Sequence, residues 1–181
     1  MATHVRREDY FDAAFEILSM NAHGGLKQAR LCAHLEVTTG SFYNYFDSWG
    51  RFKTEFLQHW LEEQTLQLVA TARLEALPVR RLEILIDFAC SLPHNAESAL
   101  RAWAHSDLEV RAVQETVDDR RYEVVLEATS TLAEPEIAAR FARLALYTLA
   151  GYQQSLPVQD VDSLRWSLHQ VLGQLLEGAS A

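Results

Sequence analysis

Apolar residues along most of this chain recur three or four positions apart, and nowhere do they alternate with polar ones. That spacing gathers them on one side of an α-helix, whereas a half-buried strand needs a period of two. Phe11, Ala14, Phe15, Leu18 and Ala22 form the first such face, and Gly24-Gly25 ends it. A short helix follows from about Lys27 to Leu35, then a tight turn and a second short helix from about Thr39 to Tyr45. Asp47-Ser48 can cap a long helix that carries Phe52, Phe56, Leu57, Trp60 and Leu61 and runs to Pro78. Beyond it, Leu82, Leu85, Ile86 and Ala89 mark an amphipathic helix stopped near Pro93, and Ala96 to His105 form a short one. Ser106-Asp107 offers a cap for a helix in which Val110, Val113, Val117, Val124 and Leu132 keep helical phase. Glu134-Pro135 is a start signal, because proline at the first helical position loses no needed hydrogen bond. The helix it opens carries Ile137, Phe141, Leu144, Ala145, Thr148 and Tyr152 on one side, Leu146 and Leu149 on another, and Pro157 closes it. A last helix holds Val161, Leu164, Leu168, Val171, Leu172 and Leu175. The pattern predicts an all-α fold of about nine helices.

A chain of 181 residues with 49% hydrophobic and 23% charged residues can bury a real core. Its apolar runs fall short of the roughly 20 residues that a bilayer requires. Met1 to Asp9 lead into a charged helix with no apolar secretory stretch, so no membrane partner and a cytoplasmic location are expected. Cys32 and Cys90 stand among apolar neighbours with no CxxC or Cys/His cluster, and both are expected as reduced thiols. Glu55 with His59, and His94 with Glu97, are pairs without a third ligand, and no metal or cofactor is expected. The motifs of nucleophilic, metalloprotease, nucleotide-binding and di-iron chemistry are missing, which leaves an enzyme without positive support.

The formal net charge of −9 is the opposite of a basic nucleic-acid footprint, but it is unevenly spread. Residues 1–60 hold six basic side chains (Arg6, Arg7, Lys27, Arg30, Arg51, Lys53) against seven acidic ones. The acidity therefore belongs mainly to the remainder, which need not face DNA.

Residues 31–46 have the layout of a helix-turn-helix. Leu31 and Leu35 point the first short helix inward, Val37 plugs the corner, and Phe42 and Phe46 anchor the second helix. Thr38, Thr39, Ser41 and Asn44 remain on the outer side, beside the Tyr43 and Tyr45 hydroxyls. Short polar side chains on such a helix can meet base edges in a major groove. Asparagine can bind adenine through two hydrogen bonds, and tyrosine hydroxyls suit phosphate oxygens.

The run Val37-Thr38-Thr39-Gly40-Ser41-Phe42-Tyr43-Asn44-Tyr45-Phe46 resembles the recognition-helix signature of the TetR family. Ala13-Ala14-Phe15 and Gly24-Gly25 fall where that family places its first helix and the glycine after it. Leu100 to Asp107 and Asp118-Asp119-Arg120-Arg121 resemble a pattern in a subset of its ligand domains. The match is close over roughly residues 7–48. It implies a DNA-binding domain over residues 1–48 and a helical ligand-binding and dimerisation domain over 49–181. It further implies that Thr39, Ser41 and Asn44 face bases and that Thr38 caps the recognition helix. Tyr43, Tyr45 and Lys27 would hold phosphates. The chain departs from the pattern at Glu36, where the family's turn glycine stands, and at Leu26-Lys27, where a Ser or Thr cap is usual. It departs again at Thr39, where lysine is frequent, and at Trp49-Gly50, where Lys-Glu opens helix four.

In the body, Phe88, Trp103 and Tyr122, with His94 and His105 nearby in sequence, are candidates for an effector cavity, Trp103 foremost because it offers area and one N–H. The last two helices are apolar on more than one face, and the second face must be buried somewhere. The resemblance places it in a two-fold, four-helix contact between two copies. The expected function is a homodimeric, ligand-responsive transcriptional regulator, a repressor, on a pseudo-palindromic double-stranded operator. A dimeric helical small-molecule-binding protein with a degenerate DNA-binding part is the alternative, and a helical enzyme a third class.

Overall fold

The computed structural model describes residues 5–21, 23–155 and 160–179; the expected marks at Ala22 and Pro157 lie outside them. Every regular element among the described residues is helical. In order they are α1 (Arg7–Asn21), α2 (Gln28–His34), α3 (Thr39–Tyr43), α4 (Trp49–Leu61), α5 (Gln67–Arg73), α6 (Pro78–Ser91), α7 (His94–Trp103), α8 (Leu108–Thr129), α9 (Pro135–Gln154) and α10 (Val161–Ala179). A π-helical turn, Glu62–Leu66, joins α4 to α5 without a break.

Local chemistry explains most of the boundaries. The Ser48 hydroxyl accepts from the Arg51 N–H at 3.0 Å and caps α4. Asp107 caps α8 by accepting from the Glu109 and Val110 N–H groups at 3.0 and 3.3 Å. Pro78 and Pro135 stand in the first turns of α6 and α9. Leu92, held extended by the proline after it, ends α6. Two expectations need correction. The long helix does not run to Pro78 but tightens at Arg73, where Leu74 and Glu75 bond three residues back, to Thr71 and Ala72. Leu132 lies beyond α8, in a turn that closes on Thr129.

By packing, the chain forms two compact units. One comprises Met1–Leu61 and Pro93–Gln114, the other Glu62–Leu92 and Glu115–Ala181. These units are defined by contacts, whereas the division expected at residue 48 is one of task and belongs to the functional proposal.

The first unit is held by rings. Tyr10, Phe11, Phe42, Phe46, Phe52, Phe56 and Trp60 are all at most 6% exposed. Phe52 stacks on Trp49 at 5.0 Å and on Phe56 at 6.0 Å, and meets Phe46 edge-on at 5.0 Å. The buried Trp60 indole donates to the Glu97 carboxylate at 3.1 Å, and α1 packs against α7. Lys53 reaches both Asp107 and Glu109 at 2.8 Å. The Lys53 hydrogen bond holds the Asp107 carboxyl below its ordinary range. Burial pushes Glu109 the other way, but hydrogen bonds from Lys53 and Thr54 outweigh it.

The second unit has an aliphatic core. Leu82, Ile86, Leu149, Leu164, Leu168, Leu172 and Leu175 form its centre, with Ala128 between them. Arg73 pairs with Glu127, and Arg121 donates to the Gln64 carbonyl at 3.1 Å.

Candidate nucleic-acid interface and ligand cavity

α2 and α3 form the turn that the sequence predicts, with one unusual joint. Leu35 ends α2, the Glu36 N–H bonds Ala33 O at 3.2 Å, and the Val37 N–H bonds Cys32 O at 2.9 Å. This pair of bonds is the Schellman closure, whose middle residue is normally glycine because it sits in the left-handed region. Here it is Glu36, with φ 54°. A side chain in that conformation costs roughly 1–2 kcal/mol.

Thr38 opens α3. Its hydroxyl accepts from the Ser41 N–H at 3.2 Å while its backbone remains extended, which is the N-cap geometry expected of it. Phe42 is fully buried and Phe46 1% exposed, so α3 is fixed from beneath by two rings. Thr38, Thr39, Tyr43 and Asn44 are exposed and Ser41 half-buried. The polar edge of this helix therefore faces outward, with the tyrosine ring of Tyr43 beside it.

Tyr45 departs from expectation. Its hydroxyl donates to the Val5 carbonyl at 2.8 Å, and its ring lies 5.7 Å from that of Tyr10. It ties the N-terminal segment to the domain rather than offering its proton to a phosphate. Lys27 stands at the N-cap position of α2 without a side-chain cap, exposed. Four of the other five cations of residues 1–60 are engaged: Arg6 by Asp9, Arg7 and Arg51 by Glu55, Lys53 by Asp107 and Glu109. Arg30, one turn along α2 from Lys27, is exposed and has no ion pair among the described residues. Sequence reasoning passed over Arg30, although a basic residue next to Lys27 on a helix that would cross the phosphate backbone was a visible signal. The Glu55–His59 pair is also accounted for, since Glu55 takes two arginines and His59 stacks on Phe11 at 4.9 Å.

The second unit is hollow in two adjoining places, each with a cavity of about 70 Å³. Both share the walls Leu85, Ala89, Val125, Leu146 and Leu149. One extends between α6, α9 and α10 toward Leu172 and Leu175; the other extends toward the π-turn, where Gln64, Thr65 and Arg121 line it. Of the three residues expected at a cavity, Phe88 lines the second, whereas Trp103 and Tyr122 line neither. Trp103, His94 and His105 belong to the first unit, and Tyr122 lies under the Arg143 guanidinium at 4.9 Å. Helical phase told which residues turn inward but not which inward faces fail to fill the space between them.

On α9 the buried edge is Ala138, Ala142 and Leu149, while Ile137, Leu144 and Tyr147 are 40%, 42% and 64% exposed. The expected grouping of Ile137 and Leu144 with Phe141 is thus divided: Phe141 packs on the core, the other two do not. On α10, which packs on α9, Trp166 is 64% exposed.

No family model matches this sequence, and no curated protein matches it. Solved structures do match, over nearly the whole chain. A transcriptional regulator from Rhodococcus sp. Rha1 superposes with a TM-score of 0.79 at 16% identity, covering 96% of this chain and 97% of that one. A TetR transcription regulator from Haloarcula marismortui gives 0.75 at 15% identity, with 95% and 96% covered. The regulator FadR from Bacillus subtilis, in complex with stearoyl-CoA, gives 0.64 at 15% identity, with 96% and 99% covered. At such identities the likeness concerns architecture, and it agrees with what the recognition-helix motif implied: this chain has the all-helical fold of the TetR-type transcriptional regulators.

Proposed function

We propose that this chain is a homodimeric, ligand-responsive transcriptional repressor that binds a pseudo-palindromic DNA operator through α2 and α3. One observation carries the reading. The outer edge of α3 is polar and exposed at Thr39, Tyr43 and Asn44, while Phe42 and Phe46 beneath it are buried. A helix so anchored presents its edge at little further cost in ordering, which suits a major groove. In this reading residues 1–48 do the DNA binding. Thr39, Ser41 and Asn44 meet bases, Thr38 holds the helix start, and Tyr43, Lys27 and Arg30 meet phosphates. Residues 49–181 hold the effector and the second copy.

The exposed Ile137, Leu144, Tyr147 and Trp166 support dimerisation through α9 and α10, because a solvated apolar stripe with a tryptophan is a surface in want of a partner. Two-fold symmetry then sets half-sites about 34–36 Å apart. The cavities of the second unit support an effector, and the stearoyl-CoA complex of the similar regulator is a precedent for a ligand in this fold. An effector would act through its differing affinity for two arrangements, with a coupling of roughly 1–3 kcal/mol.

The engaged cations favour a second reading, a dimeric ligand-binding protein whose DNA-reading part no longer works. One experiment separates the two: a salt titration of binding to the DNA upstream of the protein's own gene. With Lys27 and Arg30 as the phosphate-neutralising residues of each subunit, a dimer should show a slope of roughly −4 in log K against log salt. Specific binding should vanish when Asn44→Ala is combined with Tyr43→Phe. Retained dimerisation without any footprint at low salt would establish the second reading instead.

A further inference from the structure

One buried hydroxyl in the second unit has no partner, and it stands in a cavity wall. Thr65 is 1% exposed, and its Oγ1 makes no hydrogen bond among the described residues. It belongs to the π-helical turn Glu62–Leu66, the only π-helical element among the described residues. A threonine in a helix ordinarily satisfies itself on a carbonyl one turn back, as Thr71 does on Gln67 at 2.9 Å and Thr148 on Leu144 at 2.8 Å. Thr65 does not. A buried polar group left unsatisfied is unfavourable and calls for an explanation, and π-turns gather at functional sites.

The surroundings say what the missing partner would be. The cavity at Thr65 adjoins one whose walls are aliphatic and aromatic apart from Thr129. The Thr129 hydroxyl already donates to the carbonyls of Ala138 and Leu126, at 3.1 and 3.2 Å, so that end offers a ligand no free donor. Hydrogen-bond donation to a ligand therefore belongs to the other end, where Thr65 stands with Gln64 and Arg121. The Gln64 carbonyl already accepts from Arg121, and the guanidinium brings a positive charge to that wall. A donor hydroxyl beside a cation selects an acceptor oxygen, and a carboxylate above all.

We infer that the second unit binds an elongated aliphatic carboxylate, its chain along the two adjoining cavities and its oxygen accepting from the Thr65 hydroxyl in the π-turn. This deepens the effector half of the proposed function by naming the ligand class and the residue that reads its polar end. The turn is also where the chain passes from one compact unit to the other, between Leu61 and Glu62.

Decanoate is the probe, titrated by calorimetry into the full-length protein without DNA, so that failure to bind an operator has no bearing on the result. Wild type should bind decanoate more tightly than decanol. Thr65→Val keeps the shape and removes the hydroxyl. It should weaken decanoate binding about tenfold, the loss expected for one hydrogen bond to a charged group, while leaving Tm unchanged or higher. Leu146→Trp, at the wall common to both cavities, should abolish binding. Absence of decanoate binding by wild type overturns the proposal, as does equal binding by wild type and Thr65→Val. Retained binding in Leu146→Trp overturns it equally, and so does a fall in Tm on Thr65→Val, because that hydroxyl would then have a partner within the protein.

Discussion

The two compact units solve the problem of burial with different materials. In the first, six large ring side chains from α1, α3, α4 and the turn after α3 meet face to face and face to edge, and Trp60 and Lys53 reach carboxylates besides. In the second, leucines, isoleucine and alanine gather around two hollows. Rings bring large flat surfaces, and their preferred stacked and edge-on geometries orient their neighbours. A rigid unit suits a fixed recognition edge, and a hollow one suits a ligand. The difference is one of composition and packing, ring-rich and filled in one unit, aliphatic and hollow in the other.

Adding the same two methyl groups to each core tests this contrast most strongly. Ala14 is wholly buried in the first unit, and Ala14→Val should cost about 3 kcal/mol, the upper end of the overpacking range. Ala89 is in the wall of both cavities, and Ala89→Val should change stability by less than about 1 kcal/mol in either direction. Urea unfolding of both variants gives the answer, and equal losses would end the distinction between a filled and a hollow core.

A smaller effect sharpens the electrostatic side of the first unit. Lys53→Met should destabilise the protein by about 1.5 kcal/mol at neutral pH, the worth of hydrogen bonds to charged groups. The signs are opposite at the two ends of the pH range. Asp107, held low by the Lys53 hydrogen bond, contributes stability above its unfolded value near 4, and loses it as pH falls through the lower folded value. Burial lowers the Lys53 ammonium, but the hydrogen bonds of Asp107 and Glu109 prevail and raise it. Its contribution is full below the unfolded value near 10 and disappears as pH rises through the higher folded one. Thermal melts across pH should show both declines in wild type and a flatter profile in Lys53→Met. A variant that merely shifts the whole curve downward would show that the ion pairs are incidental.

The smallest expected change is at the joint between α2 and α3. Glu36→Gly removes a side chain from the left-handed region and should stabilise the protein by about 1 kcal/mol after allowance for the freedom of glycine when unfolded. Because the joint is local, calorimetric Tm should rise with no loss of recognition-edge exposure. A fall in Tm would show that the Glu36 side chain is itself a stabilising contact.

Much of the candidate DNA-binding edge was legible in the sequence because its causes are short-range. Thr38 caps by reaching three residues ahead, Phe42 and Phe46 share a face by helical phase, and Glu36 was already visible where a glycine belongs. Helix order followed from the same period, and the proline start at 135 from one missing N–H. The bond from Tyr45 to Val5 was not foreseen, because Val5 is forty residues away and nothing near Tyr45 announces it. The pairing of the cations was out of reach for the same reason: Arg7 finds Glu55, and Lys53 finds Asp107. Trp103 and Tyr122 were chosen for their chemistry, but a cavity is where side chains from several helices fail to meet, and no residue type encodes it.

By itself, then, the order of residues determined the all-helical fold, the turn and cap that shape α3, and which of its residues face out, since periodicity and capping act within a few positions of the chain. Only tertiary structure decided which cations remain unpaired, where the hollows lie and that Thr65 lacks a partner. Those are properties of distant segments brought together, fixed by packing volume and long-range pairing rather than by local preference.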